Sequence, residues 1–286
     1  MTSPFRTCRF VIGILLFLML SACLPQPAES SNPTPSLVTI PDTEVRQLKS
    51  SATGRNYDIY VSLPSEYQQN PKAKYPILYL LDGQWDFKLL HSIYGGLHYD
   101  GFVPEMIIVG ITYTGPNPDY NSLRAMDYTP AQDPSIPGSG DAPKFLAFLK
   151  EELIPFIETS YPVDASHRVL MGSSFGGTFT LYTLFADPQL FSGYVAASPA
   201  VVYGGRFAFK QEAEYASKHQ DLPVRLFLSV GELEDLKQPV EAFMQVINKR
   251  GYTGLEMETR TIAGERHSSN KPEAYNRALR YIFQNK

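Results

Sequence analysis

Five short runs, Ile77 to Leu81, Met106 to Ile111, Arg168 to Met171, Tyr194 to Ala197 and Val224 to Val230, are rich in β-forming residues and almost wholly apolar. A strand that is apolar on both faces is covered on both, which is the condition of a parallel sheet between helices. Helical periodicity fills the gaps. Phe145, Phe148, Leu149, Leu153 and Phe156 keep a 3.6 period within Ala142 to Thr159, and Gly177 to Ala186, Lys237 to Lys249 and Pro272 to Gln284 follow the same pattern. Asn56 to Leu63 alternates at period two, as a half-buried strand does, with Val38 to Leu48 a weaker strand before it and Leu255 to Ile262 a more polar one at the end. The order implies an α/β fold, a doubly wound and mostly parallel sheet with helices on both faces. Thr114 to Gly140 and Val201 to Asp221 break the alternation, and insertions at those points belong on the side of the sheet where ligands bind.

The chain has 286 residues. Its first part does not belong to that fold. Arg6 and Arg9 precede an apolar run from Val11 to Leu20, too short to span a bilayer comfortably but suited to a signal-peptide core. Leu20-Ser21-Ala22-Cys23 then resembles the lipobox of bacterial lipoproteins, in which the cysteine is acylated and becomes the first mature residue. The expected organisation is a signal peptide over 1–22, a Pro- and Ser-rich tether over 23–36 and one α/β domain over 37–286. That reading exports the protein and anchors it by lipid to a membrane of the bacterial cell envelope. Cys8 leaves with the signal and Cys23 carries lipid, so the mature chain keeps no thiol for a disulfide, a metal or a nucleophile. Removing Arg6 and Arg9 from the 25 basic residues leaves 23 against 29 acidic ones, a net charge of −6, which does not suit a nucleic-acid partner.

Gly172-Ser173-Ser174-Phe175-Gly176 matches G-x-S-x-G between an apolar strand and a helix. The bare pattern arises by chance in about one chain in ten of this length, so the flanking strand and helix carry the inference. A serine hydroxyl is a weak nucleophile and needs a base held by a carboxylate, in the chain order nucleophile, acid, base. His267 meets the requirement for the base, in the polar loop Gly264-Glu265-Arg266-His267-Ser268 after the last strand. The acid belongs after Val224 to Val230, where Glu234 stands three residues past Gly231, with Asp235 and Glu232 as alternatives. Two backbone N–H groups are expected to hold the oxyanion, those of Phe175 and of Gln84 in Leu81-Asp82-Gly83-Gln84-Trp85. Trp85, the only tryptophan, suits a wall for the substrate or ordinary packing.

Together these residues resemble the esterase D-like branch of α/β-hydrolases, which includes siderophore esterases, S-formylglutathione hydrolase, feruloyl esterases and mycolyltransferases. The resemblance runs from about Val38 to the C-terminus and is most specific at Leu80 to Gly83, Arg124 to Pro130, Gly172 to Gly177 and Phe191 to Pro199. It implies an α/β-hydrolase fold, ester hydrolysis with no metal or organic cofactor, and the roles already given to Ser174, His267, Gln84 and Phe175. Arg124 to Pro130 looks closest to a stretch of the siderophore-esterase branch. That branch often carries aromatic bulk, including Trp, after Ser-Pro, where this chain has Ala200-Val201-Val202-Tyr203.

The segment Thr114 to Gly140 carries Tyr113 at its edge, Tyr120, Arg124, Asp127 and Tyr128. Placed over the strand ends, Arg124 and Tyr128 would contact substrate with Trp85, and aromatic faces with one cation suit a short, ring-bearing or anionic ester. The competing reading is an i to i+3 pair of Arg124 with Asp127 that orders the loop. Two other functions use the same residues or the same scaffold: acyl transfer to a sugar or lipid, and a non-catalytic surface binding lipoprotein.

Overall fold

Side-chain alternation in the central strands decides the layering. In β3 (Tyr75–Leu80), Ile77 and Tyr79 face one core while Leu78 and Leu80 face another. In β4 (Ile107–Tyr113), Ile107 and Val109 join the first core and Ile108 the second. A computed structural model describes residues 37–284 apart from 68, 71 and 72. The expected signal peptide, Cys23 and the expected tether therefore lie outside the described residues. Ile40–Lys286 forms one compact unit.

The remaining strands are β1 (Thr43–Lys49), β2 (Asn56–Ser62), β5 (Val163–Ser173), β6 (Gly193–Ala197), β7 (Arg225–Gly231) and β8 (Glu256–Ile262). They form one eight-stranded sheet in the order β1-β2-β4-β3-β5-β6-β7-β8. β1 and β2 pair antiparallel, β2 runs antiparallel to β4, and β3 to β8 are parallel. Both edge strands are studded with charge, Glu44, Arg46 and Lys49 on β1 and Glu256, Glu258 and Arg260 on β8.

Helices α1 (Gly83–Tyr99) and α8 (Lys271–Ile282) cover the face of Leu78, Leu80 and Met171. The opposite face is covered by α2 (Tyr120–Tyr128), α3 (Ala142–Ala147), α4 (Ile154–Ser160), α5 (Phe175–Ala186), α6 (Tyr203–Lys218) and α7 (Lys237–Arg250). Helices on both faces of a mostly parallel sheet are the expected doubly wound arrangement.

The structure departs from the sequence reading in three places. α1 was not anticipated, although Phe87, Leu90, Tyr94 and Leu97 are its buried residues at helical spacing. The two segments that broke the alternation each contain a helix, α2 and α6. The helix expected over Ala142 to Thr159 is α3 and α4 joined by a π-helical stretch, Phe148–Leu153. The wider turns accommodate Phe148, Leu149 and Leu153, all fully buried.

Candidate active site

Parallel strands deliver their C-terminal ends to one rim, and the predicted residues collect there. Ser174 follows β5 at φ 59° and ψ −122°, backbone that a non-glycine residue adopts only under strain. Neighbouring contacts enforce it. A Cβ on Gly172 would lie 2.4 Å from the Gly176 carbonyl carbon, so the chain folds back on itself at a distance only glycine permits. The Ser174 N–H donates to the Ala197 carbonyl at 2.9 Å, tying the turn to the end of β6. Ser173 is buried while Ser174 is half-buried, which leaves Ser174 as the accessible hydroxyl of the two.

The acid and base are in direct contact. His267 Nδ1 lies 2.8 Å from Glu234 Oε2, with the Glu234 side chain 1% exposed and the His267 side chain 44% exposed. Glu234 Oε1 accepts from the Ser198 hydroxyl at 2.6 Å, the Gly231 N–H at 2.6 Å and Asn270 Nδ2 at 2.8 Å. Burial pushes the Glu234 carboxyl up, but the hydrogen bonds from His267, Ser198 and Gly231 outweigh it and hold the group below its ordinary value. The alternatives fall away on geometry. Asp235 is exposed, and Glu232 accepts from the Gly264 N–H at 2.8 Å, a brace between the acid loop and the base loop. Ser198 and Asn270 were not anticipated. Ser198 lies in the Ser-Pro stretch, and Asn270 precedes α8, where an amide side chain is expected to serve the backbone; its Nδ2 also donates to the Arg266 and His267 carbonyls.

Gln84 and Phe175 both sit in the first turn of a helix, α1 and α5, where N–H groups have no intrahelical acceptor and the helix dipole favours negative charge. The Gln84 side-chain amide is also buried, with neither end hydrogen-bonded among the described residues. Trp85 is 42% exposed at the same turn and meets Tyr120 edge-on, ring centres 5.8 Å apart. Val202 and Leu233, also exposed, follow β6 and β7.

Of the residues expected to contact substrate, Tyr128 is enclosed and Arg124 is held by another side chain. Tyr128 is fully buried, and its phenol oxygen accepts from the Asp82 N–H at 3.2 Å. Arg124 turns inward, its Nε 2.8 Å from Asp82 Oδ1 and its Nη2 2.7 Å from Asp82 Oδ2. Pairing of Arg124 with Asp127 is not found either. Asp127 binds Arg55 and the Tyr57 hydroxyl instead, locking β2 to α2. On the other face of the sheet Asp86 receives Lys271 Nζ at 2.8 Å and the Tyr275 hydroxyl at 2.6 Å, joining the first turns of α1 and α8. A cavity of about 540 Å³ lined by Pro76, His167 and Arg225 opens at the opposite ends of the strands, away from this chemistry.

Comparison with known proteins agrees with the fold and points to ester hydrolysis. Residues 50–279 match the family described as "Putative esterase". The chain is 31% identical over 276 residues to the ferri-bacillibactin esterase BesA of Bacillus subtilis, covering 87% of this chain and 92% of that one. It is 32% identical over 174 residues to a siderophore triacetylfusarinine C esterase of Aspergillus fumigatus, 59% of each chain. Among solved structures, the BES protein of Bacillus cereus superposes with a TM-score of 0.80 at 26% identity, over 89% of this chain and 100% of that one. The serine turn, the buried carboxylate on its histidine and these likenesses lead to one assignment: the chain belongs to this esterase family and is a carboxylic ester hydrolase with an α/β-hydrolase fold.

Proposed function

We propose that the protein hydrolyses siderophore-type esters, cyclic or linear esters with ring-bearing acyl groups, through an acyl-enzyme on Ser174. The observation that carries the catalytic part is the Glu234–His267 hydrogen bond of 2.8 Å at the same rim as the strained Ser174 turn. His267 Nε2 takes the Ser174 proton as Oγ adds to the ester carbonyl, and Glu234 keeps the other imidazole nitrogen protonated. The N–H groups of Gln84 and Phe175 receive the oxyanion. Collapse expels the alcohol, which takes the proton from His267. Water then adds to the acyl group, passes its proton to the same imidazole and releases the acid and the free serine. With 44% of its side chain exposed, His267 is open to the water that the second step requires.

Support for the acyl class comes from two sources. The relatives are named for siderophore esters, and exposed apolar side chains, Trp85, Val202 and Leu233, follow the C-terminal ends of β3, β6 and β7. A flat ring gains more from such a rim than a flexible chain does. The test is the ratio of kcat/KM for a short-chain p-nitrophenyl ester, a feruloyl ester and a catecholate trilactone. Preference for ring-bearing acyl groups is expected, and a clear preference for long aliphatic chains would overturn the reading. The same proposal includes export and lipid anchoring at Cys23, which rests on the lipobox alone.

A further inference from the structure

The two N–H groups assigned to the oxyanion come from separate strand ends, Gln84 after β3 and Phe175 after β5. Their separation must be fixed by contacts that cross between those ends. A group of contacts around one side chain does so, centred on Asp82. Its carboxylate holds Arg124 in a two-point pair of 2.8 and 2.7 Å, and Arg124 Nη2 also reaches the Ser173 carbonyl at 3.4 Å, one residue before Ser174. The carboxylate also lies against the serine turn itself, where a Cβ on Gly176 would meet Oδ2 at 3.2 Å.

The backbone of Asp82 completes the link. At φ 56° it occupies the left-handed region, its N–H donates to Tyr128, and its carbonyl accepts from the Trp85 and Asp86 N–H groups at 3.0 and 3.1 Å. Arg124 and Tyr128 both belong to α2, so one helix grips the turn by side chain and by backbone. The side chains of Arg124 and Asp82 are 11% and 2% exposed, and the guanidinium lies between the rings of Trp85, Tyr128 and Phe175 at 5.6, 5.8 and 5.4 Å. A buried ion pair is weak evidence of added stability, because desolvation offsets much of the attraction. What a planar two-point pair supplies is direction and distance.

We propose that Asp82 and Arg124 are positioning residues that set the spacing of the Gln84 and Phe175 N–H groups, and so stabilise the oxyanion without touching substrate. The inference rests on the reading of those two groups as the oxyanion donors. It differs from a packing role in what it predicts. Loss of the two-point geometry lowers the rate of the chemical step and leaves ground-state binding alone.

The experiment uses the full-length protein with Arg124→Lys, Asp82→Asn and the double variant, and Ser174→Ala as the reference for the site. Turnover of p-nitrophenyl acetate, the second-order rate of inactivation by a fluorophosphonate, and Tm are measured on each. A displacement of about 1 Å at a catalytic group costs roughly a hundredfold, so kcat is expected to fall about tenfold to a hundredfold with KM within about twofold. Inactivation should slow by the same factor, because phosphonylation also builds charge on the oxyanion. The double variant should cost no more than the worse single one. A raised KM at unchanged kcat would place Arg124 on the substrate and overturn the proposal. So would kcat within twofold in both single variants, or failure of both to fold, which would make the pair purely structural. Turnover or labelling that survives Ser174→Ala would instead overturn the reading of the site itself, a failure visible before any Asp82 or Arg124 variant is compared.

Discussion

Replacing Glu234 by glutamine keeps the shape of the side chain and removes one acceptor, and the hydrogen-bond pattern decides where the loss falls. Oε1 receives three donors, from Ser198, Gly231 and Asn270, whereas Oε2 receives only His267. The amide therefore turns its single oxygen to the three donors and its NH2 to the imidazole. Facing a donor, His267 Nδ1 must present its lone pair, so the proton moves to Nε2, and the base can no longer accept from Ser174. The wrong tautomer and the loss of the carboxylate charge together cost about 10³ to 10⁴ in kcat, or about 4 to 5.5 kcal/mol. KM should hardly move, since Glu234 is buried away from substrate. Asp235→Asn, at an exposed position, should stay within about threefold of the parent. Steady-state hydrolysis of p-nitrophenyl acetate by both variants checks the argument. More than a tenth of parental activity in Glu234→Gln, or an equal loss in Asp235→Asn, would refute it.

The remaining expectations follow from the same geometry. Because Glu234 is held below its ordinary value in the fold, the stability it contributes is complete above about pH 4.3 and is lost as pH falls through its lower folded value, so Glu234→Gln should flatten the acid limb of a Tm-against-pH curve. Ser174→Ala should abolish fluorophosphonate labelling and lower turnover by about 10⁴ to 10⁶, while Ser174→Gly, relieved of the strained φ, should melt about 2 °C or more above Ser174→Ala. Gly172→Ala should lose more than about 3 kcal/mol of stability in denaturant titrations, because its methyl would sit 2.4 Å from Gly176 backbone. Cys23→Ala should move the protein from the membrane fraction to the soluble one.

The parts of this protein that could be read from sequence are those whose determinants are local. Central strands announce themselves as apolar runs, and Glu234 is singled out by its three-residue spacing from Gly231, which turns it inward while Asp235, one residue on, faces solvent. Arg124 shows the limit. Its sequence neighbour Asp127 is the obvious partner, but the true one, Asp82, stands 42 residues earlier and meets it only because β3 and α2 converge at the rim. Helix α1 was missed for a different reason. Its first turn coincides with the oxyanion loop, and Gly95 and Gly96 lower its apparent helix propensity, whereas burial of Phe87, Leu90, Tyr94 and Leu97 against the sheet supplies the stabilisation that propensity lacks.

Among the described residues the eight-stranded sheet is open, with β1 and β8 at its ends, and a strand at the end of a sheet is in general a template on which a second copy can add its own edge. Here any such pairing would first have to strip water from Glu44, Arg46 and Lys49 on one edge or from Glu256, Glu258 and Arg260 on the other. Replacing these charges by threonine and valine should therefore favour edge-to-edge pairing between copies on mild heating.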